Sequence, residues 1–233
     1  ITLLQSFVES LTVVLPFYPV GTMERVIIEG QVATANTYAE MFSNLPSCGR
    51  PTRLIVYDLH TLQNRFYLHN HAFASLQTTV PLLTCVLEKQ RRHNPSHSVT
   101  CIAFPDDGAA KRFGDMFADK GYEIVTCGKI RDGETRSVTI QEGNPRGRRV
   151  LIVDDLVQSG STLIECQKLL ARLGAAKVSA YATHGVFPNE SWRRFTDPAA
   201  GFANFWITDS CPQTVSACSG VAPFDVLKLA GSI

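Results

Sequence analysis

The sequence is short of several things at once. No apolar run approaches the roughly 20 residues that a bilayer-crossing helix needs, and no Cys-x-x-Cys pair occurs. Charge of either sign is scarce in excess: 22 Lys and Arg stand against 21 Asp and Glu, a formal charge of +1 over 233 residues. The first absence argues against membrane insertion. The second, with seven widely spaced cysteines and hence an odd number, argues against a zinc site or a disulfide framework and points to a reducing compartment. The third leaves no broad basic face for nucleic acid, although a small anion needs only a local cluster. The opening ITLLQSFVES has no basic stretch ahead of its apolar residues, so it does not read as a secretory signal. It also has no initiating methionine, from which a processed or partial polypeptide is expected.

What is present is ample apolar material. Hydrophobic residues make up 45% of the chain, enough for one large or two smaller domains. Apolar runs of strand length at 11–15, 53–57, 99–103, 122–126, 149–153, 177–183 and 202–207 alternate with helical patterns at 32–42, 80–90, 109–120 and 162–173. That alternation predicts an α/β fold with mainly parallel sheets. The last helix is the clearest, with Leu163, Cys166, Leu169, Leu170 and Leu173 at helical spacing and Gly174 as its stop. A polar, proline-containing link near 80–98 suggests a domain boundary, and the charged, glycine-rich stretch 128–144 reads as a hairpin or a mobile loop.

Two segments echo each other. Ile55-Val56-x-Asp58-Leu59 matches Ile152-Val153-x-Asp155-Leu156, which fits either tandem α/β units or the general likeness of buried parallel strands. The second copy opens the stretch VLIVDDLVQSGST at 150–162, an apolar run that stops at two aspartates and gives way to small polar residues. A helix that begins after such a turn presents free backbone N–H groups and a partial positive charge. The turn is therefore a candidate phosphate cradle: Gly160 allows a tight backbone, and the Ser159, Ser161 and Thr162 hydroxyls can donate to phosphate oxygens. Asp154 and Asp155 repel phosphate but can accept from ribose hydroxyls or reach magnesium through water. The plainer alternative makes Ser159 or Ser161 a helix cap and leaves the aspartates solvated.

The whole string resembles the phosphoribosyl-diphosphate motif of type I phosphoribosyltransferase folds. PFYP at 16–19, YDLH at 57–60, FPDDG at 104–108 and YATHGVF at 181–187 follow in an order that resembles the ribose-phosphate diphosphokinases, also called phosphoribosyl diphosphate synthases. VDDLVQSG and FWITDSCPQTV are most similar to the plant-type branch. The resemblance runs from about residue 11 to the end. It implies two tandem phosphoribosyltransferase-like three-layer domains, expected at 1–82, as an incomplete amino-terminal domain, and at 83–233.

The implied reaction is transfer of the diphosphate of ATP to ribose 5-phosphate with magnesium, giving 5-phosphoribosyl 1-diphosphate and AMP. Lys129 and Arg131 match the family's mobile catalytic loop and would neutralise the transferring diphosphate. His60, with Asp58 two residues before it, and Asp106 match the metal side; along an extended segment Asp58 and His60 would point the same way. Asp154, Asp155 and Gln158, Ser159, Gly160, Ser161 and Thr162 match the ribose 5-phosphate loop. Ser161 stands where the family has glycine, at a cost if the position needs positive φ, and Thr22-Met23 replace an Arg-Gln pair in the nucleotide loop. Ser161 and the apparently incomplete amino-terminal region leave open a second reading, a catalytically weak or inactive paralogue acting as a structural subunit of a larger assembly. A phosphoribosyltransferase that consumes the diphosphate sugar is a third. The family implies homo-oligomers; the expected location is cytoplasmic, with a plastid or mitochondrion after transit-peptide removal as the alternative.

Overall fold

The computed structural model describes residues 7–47, 49–69, 72–132 and 135–232, without the side chains of 129–132, 135–137 and 232. The chain divides into two compact units, Ile1–Thr79 and Val80–Ile233.

In the first unit, β1 (Thr12–Leu15), β2 (Thr52–Tyr57) and β3 (Ala72–Gln77) form a parallel sheet in that order, with α1 (Thr34–Ser43) between β1 and β2 in the chain. Ile55 of β2 aligns with Val14 and Ser75. Tyr18, Val20, Ala35, Leu54, Val56 and Leu59 make its core.

The second unit runs α2 (Val80–His93), β4 (Cys101–Phe104), α3 (Asp107–Ala118), β5 (Glu123–Asp132), β6 (Thr135–Glu142), β7 (Arg149–Val157), α4 (Ser161–Arg172), β8 (Lys177–Gly185), α5 (Arg193–Thr196), β9 (Phe202–Thr208), α6 (Pro212–Cys218) and β10 (Phe224–Leu227). Its seven-stranded sheet has the order β10-β9-β8-β7-β4-β5-β6. Every neighbouring pair is parallel except the β5–β6 hairpin.

Both faces of this sheet are buried, and strand alternation sorts the side chains between them. Val150 and Ile152 of β7 join Leu163, Cys166 and Leu170 of α4 on one face. Leu151 and Val153 join Leu83 and Leu87 of α2 and Phe113 and Phe117 of α3 on the other. The result is a three-layer α/β unit.

The structure departs from the sequence expectation at informative places. β7 was expected to end at residue 153 but continues through both aspartates to Val157, because β8 extends beside it and pairs His184 with Leu156 and Gly185 with Val157. The stretch 128–144 is a hairpin for most of its length. β3, whose AFASLQ carries small residues with little alternation, and the short β10 have no counterpart in the sequence reading.

Candidate functional site

The chain leaves β4 toward β5 on one side of the sheet and later returns to β7 on the other. β4 and β7 therefore flank the point where the winding reverses, which in open α/β sheets is where a crevice forms beyond the carboxyl ends of the strands. Asp106 follows β4, and Asp154 and Asp155 lie in the last turn-ward residues of β7. The topology thus gathers three carboxylates from two distant stretches of sequence.

Their partners differ. Asp106 caps α3, its Oδ1 accepting from the Ala109 N–H at 3.0 Å. Asp155 is buried and accepts from Arg112 Nη1 at 3.2 Å. The same guanidinium lies over the Phe113 ring, 4.8 Å from its centroid. Asp154 Oδ1 accepts from the Asp155 N–H at 2.9 Å. Burial, then the charges of Asp155 and Asp106, push the Asp154 carboxyl well above the usual carboxylate range. Donors from a ligand, or a cation, would relieve that cost.

The turn beyond β7 is tightly specified. Gly160 adopts φ +76°, in the left-handed region, and a Cβ there would collide with the Phe195 ring. Ser161 is already the first residue of α4 and is not among the positive-φ residues, so the strain expected of a side chain at this position does not arise. The short segment before and within α5 braces the turn. Ser191 Oγ donates to the Gln158 carbonyl at 2.8 Å. Arg194 Nη1 donates to the Ser159 carbonyl at 2.6 Å and to Ser161 Oγ at 3.1 Å. Thr162 lies in the first turn of the same helix.

Lys129 and Arg131 run in β5, where their backbones face Val138 and Arg136 across the hairpin; their side chains lie outside the described set.

In the first unit, Asp58 and His60 do not present together. The strand stops at Tyr57, Asp58 turns to φ +37°, and the alternation that would have aligned the pair is lost. Asp58 is buried, with Oδ2 accepting from the Thr79 N–H at 3.0 Å and the Thr79 hydroxyl at 2.6 Å. His60 is exposed, and its Cβ lies beside Gly21 of the loop that carries Thr22 and Met23. Asn64 Nδ2 donates to the Gly21 carbonyl at 2.9 Å and fixes that loop. His184 is buried in the second unit, its Nδ1 bonded to Ser210 Oγ at 2.9 Å.

A relative covers nearly the whole chain. Ribose-phosphate pyrophosphokinase 4 of Arabidopsis thaliana is 55% identical over 232 residues, 97% of this chain and 67% of that protein. This chain belongs to the ribose-phosphate pyrophosphokinase family. The chloroplastic ribose-phosphate pyrophosphokinase 3 of Oryza sativa subsp. japonica is 52% identical, over 97% of this chain and 56% of its own length. The chain thus spans between just over half and two thirds of these two pyrophosphokinases. The phosphoribosyl transferase domain profile matches residues 87–199, which include β4, β7 and the turn. A phosphoribosylpyrophosphate synthetase structure from Mycobacterium smegmatis superposes with a TM-score of 0.77 at 21% identity, covering 99% of this chain and 71% of that one. The phosphoribosyltransferase-type α/β fold expected from the sequence is borne out.

Sequence reasoning missed Arg112, Ser191 and Arg194. Arg112 carries a faint signal, since it lies in the helix that follows FPDDG. Nothing in the spacing of SWRRF points to the turn some 30 residues earlier, because only the fold brings the two together.

Proposed function

We propose that the chain performs magnesium-dependent transfer of the β,γ-diphosphate of ATP to the anomeric hydroxyl of ribose 5-phosphate, giving 5-phosphoribosyl 1-diphosphate and AMP. The observation that carries this reading is the strand–turn–helix unit at the winding reversal, in which two carboxylates precede a glycine-hinged helix start. The Gln158–Thr162 turn would hold the 5-phosphate through backbone N–H groups and the Ser159, Ser161 and Thr162 hydroxyls. Asp154 and Asp155 would accept from the ribose hydroxyls and orient the sugar. Lys129 and Arg131 would offset the charge that spreads over the diphosphate during transfer.

The donor chemistry fits magnesium. Among the described residues no group of three or more His, Cys, Asp or Glu could by itself hold a metal. Magnesium ordinarily takes one or two carboxylates and fills its remaining positions with water and phosphate oxygens. Asp106, beside the Asp154 carboxylate that it raises, suits such a partial set. His60 and the loop at Gly21 suit the nucleotide side. Asp58 fits less well, since one of its oxygens is committed to Thr79. When bound, the ion would supply charge neutralisation on the diphosphate oxygens.

The ordinary backbone of Ser161 favours the active enzyme over an inactive structural subunit as far as this position goes, because its side chain costs nothing in conformation. Homo-oligomeric assembly belongs to the same proposal, and light scattering of the purified protein checks it. Activity is tested by AMP formation from ATP and ribose 5-phosphate with magnesium. Formation that disappears in Lys129→Ala supports the reading, and none above that variant overturns it. Consumption of phosphoribosyl diphosphate with a free base would instead identify a phosphoribosyltransferase.

A further inference from the structure

The turn at 158–162 presents hydroxyls and backbone N–H groups but no cation of its own, and it follows two aspartates. A sugar phosphate carries roughly two negative charges near neutral pH, so a cation beside the cradle would add to what its N–H groups and hydroxyls supply. Arg193 and Arg194 are adjacent in sequence, and they are used differently. Arg193 is bonded to Glu190 through Nε at 3.0 Å and Nη2 at 3.3 Å, and it lies over the Trp192 ring. Arg194 has no carboxylate partner among the described residues. Its Nη1 spends both protons on the turn, one on the Ser159 carbonyl and one on Ser161 Oγ. Its Nη2 and Nε donors have no partner among the described residues.

We infer that Arg194 is the phosphate-recognising cation of the turn, and that Ser161 is the residue that fixes it there. Arg194 clips the two sides of the Gly160 hinge together through one nitrogen and leaves the rest of its planar fork for phosphate oxygens, a geometry that guanidinium suits better than ammonium. Glycine at 161 would leave the clip with the Ser159 carbonyl alone. Ser161 is therefore a positioning residue rather than an obstruction. The inference rests on the assignment of the turn to ribose 5-phosphate, and the binding measurement below separates the two.

The test compares Arg194→Gln, Arg194→Lys, Ser161→Gly and the Arg194→Gln/Ser161→Gly pair in the full chain, by kinetics and by calorimetric titration with ribose 5-phosphate. Loss of charge-assisted hydrogen bonds should raise KM for ribose 5-phosphate on the order of 10–100-fold in Arg194→Gln, with KM for ATP and thermal stability nearly unchanged. Arg194→Lys should recover part of the loss. Ser161→Gly should cost several-fold alone and clearly less in the pair, because the contact between Ser161 and Arg194 is then already gone and only the direct contact of the Ser161 hydroxyl with phosphate is left to lose. If turnover is absent but ribose 5-phosphate binding still follows Arg194, the diphosphokinase reading fails and this inference stands. Unchanged affinity in Arg194→Gln overturns it. So does additive loss in the pair, or a fall in kcat and in thermal stability that spares ribose 5-phosphate affinity.

Discussion

Asp154 holds its proton more tightly in the folded chain than it would unfolded, because burial and the Asp155 and Asp106 charges oppose its ionisation. The sign of the pH dependence follows. Stability from this carboxyl is complete below its unfolded value of about 3.9 and is lost as pH rises through the raised folded value. Asp154→Asn, which cannot ionise, should therefore melt at a higher temperature than the wild type near neutral pH, and the gap should shrink toward acid. Ribose 5-phosphate should stabilise the wild type far more than the variant. Parallel melting curves from about pH 5 to 8 would refute this assignment of the strain. A few residues away, Gly160→Ala meets both an unfavourable φ and the Phe195 ring. Left-handed backbone costs roughly 1–2 kcal/mol and overpacking roughly 1–3. A destabilisation of about 2 kcal/mol or more is expected in urea titrations, with ribose 5-phosphate binding lost. A side chain tolerated here without loss would show that the hinge is not required.

Elements carry the site by extension beyond their apolar cores. β7 persists past the last aliphatic residue of its buried run because β8 keeps pairing with it, and this delivers Asp154 and Asp155 on a rigid strand rather than a loop. α3 adds a second anchor, since Arg112 in its first half reaches Asp155 across the sheet end. Both side chains are mostly buried, at 18% and 9% exposure, so removal of the cation takes a charged partner from a buried carboxylate. Arg112→Met should cost about 3–5 kcal/mol in denaturant unfolding at unchanged m. Adding Asp155→Asn should restore much of it, and a cost below about 1 kcal/mol would mark the pair as solvent-screened. Apolar patterning made β2, β7, α2 and α4 legible, because the strands bury near-continuous apolar runs and the helices a regular stripe. It could not show where β7 ended, since the two aspartates read as strand-end residues unless the neighbouring strand is known. Nor could it show Arg194, whose relation to Ser161 spans 33 residues and exists only after folding. Conversely, Asp58 and Asp155 matched in the sequence echo but diverge in use, one tied to Thr79 and the other to Arg112.

At the scale of the molecule, the two units are unequal in what they bury. Val80–Ile233 has a seven-stranded sheet covered on both faces by separate apolar clusters. Among its described residues, Ile1–Thr79 has three strands over one small cluster, and it leaves Met23, Ile27, Ile28, Val32, Phe66 and Phe73 exposed. Small sheets gain independent stability only when a hydrophobic face is well covered. A polypeptide of residues 80–233 should therefore fold cooperatively, show dispersed amide resonances and bind ribose 5-phosphate, since Asp154, Asp155, the turn, Ser191 and Arg194 all lie within it. It should make no AMP, because the loop at Gly21 and His60, proposed above to serve the nucleotide, belong to the other unit. A polypeptide of residues 1–79 should lack a cooperative melting transition. If 80–233 proved unfolded, or folded without affinity for ribose 5-phosphate, the sugar-phosphate site would need residues from outside that unit, and its assignment to the β4–β7 crevice would fall.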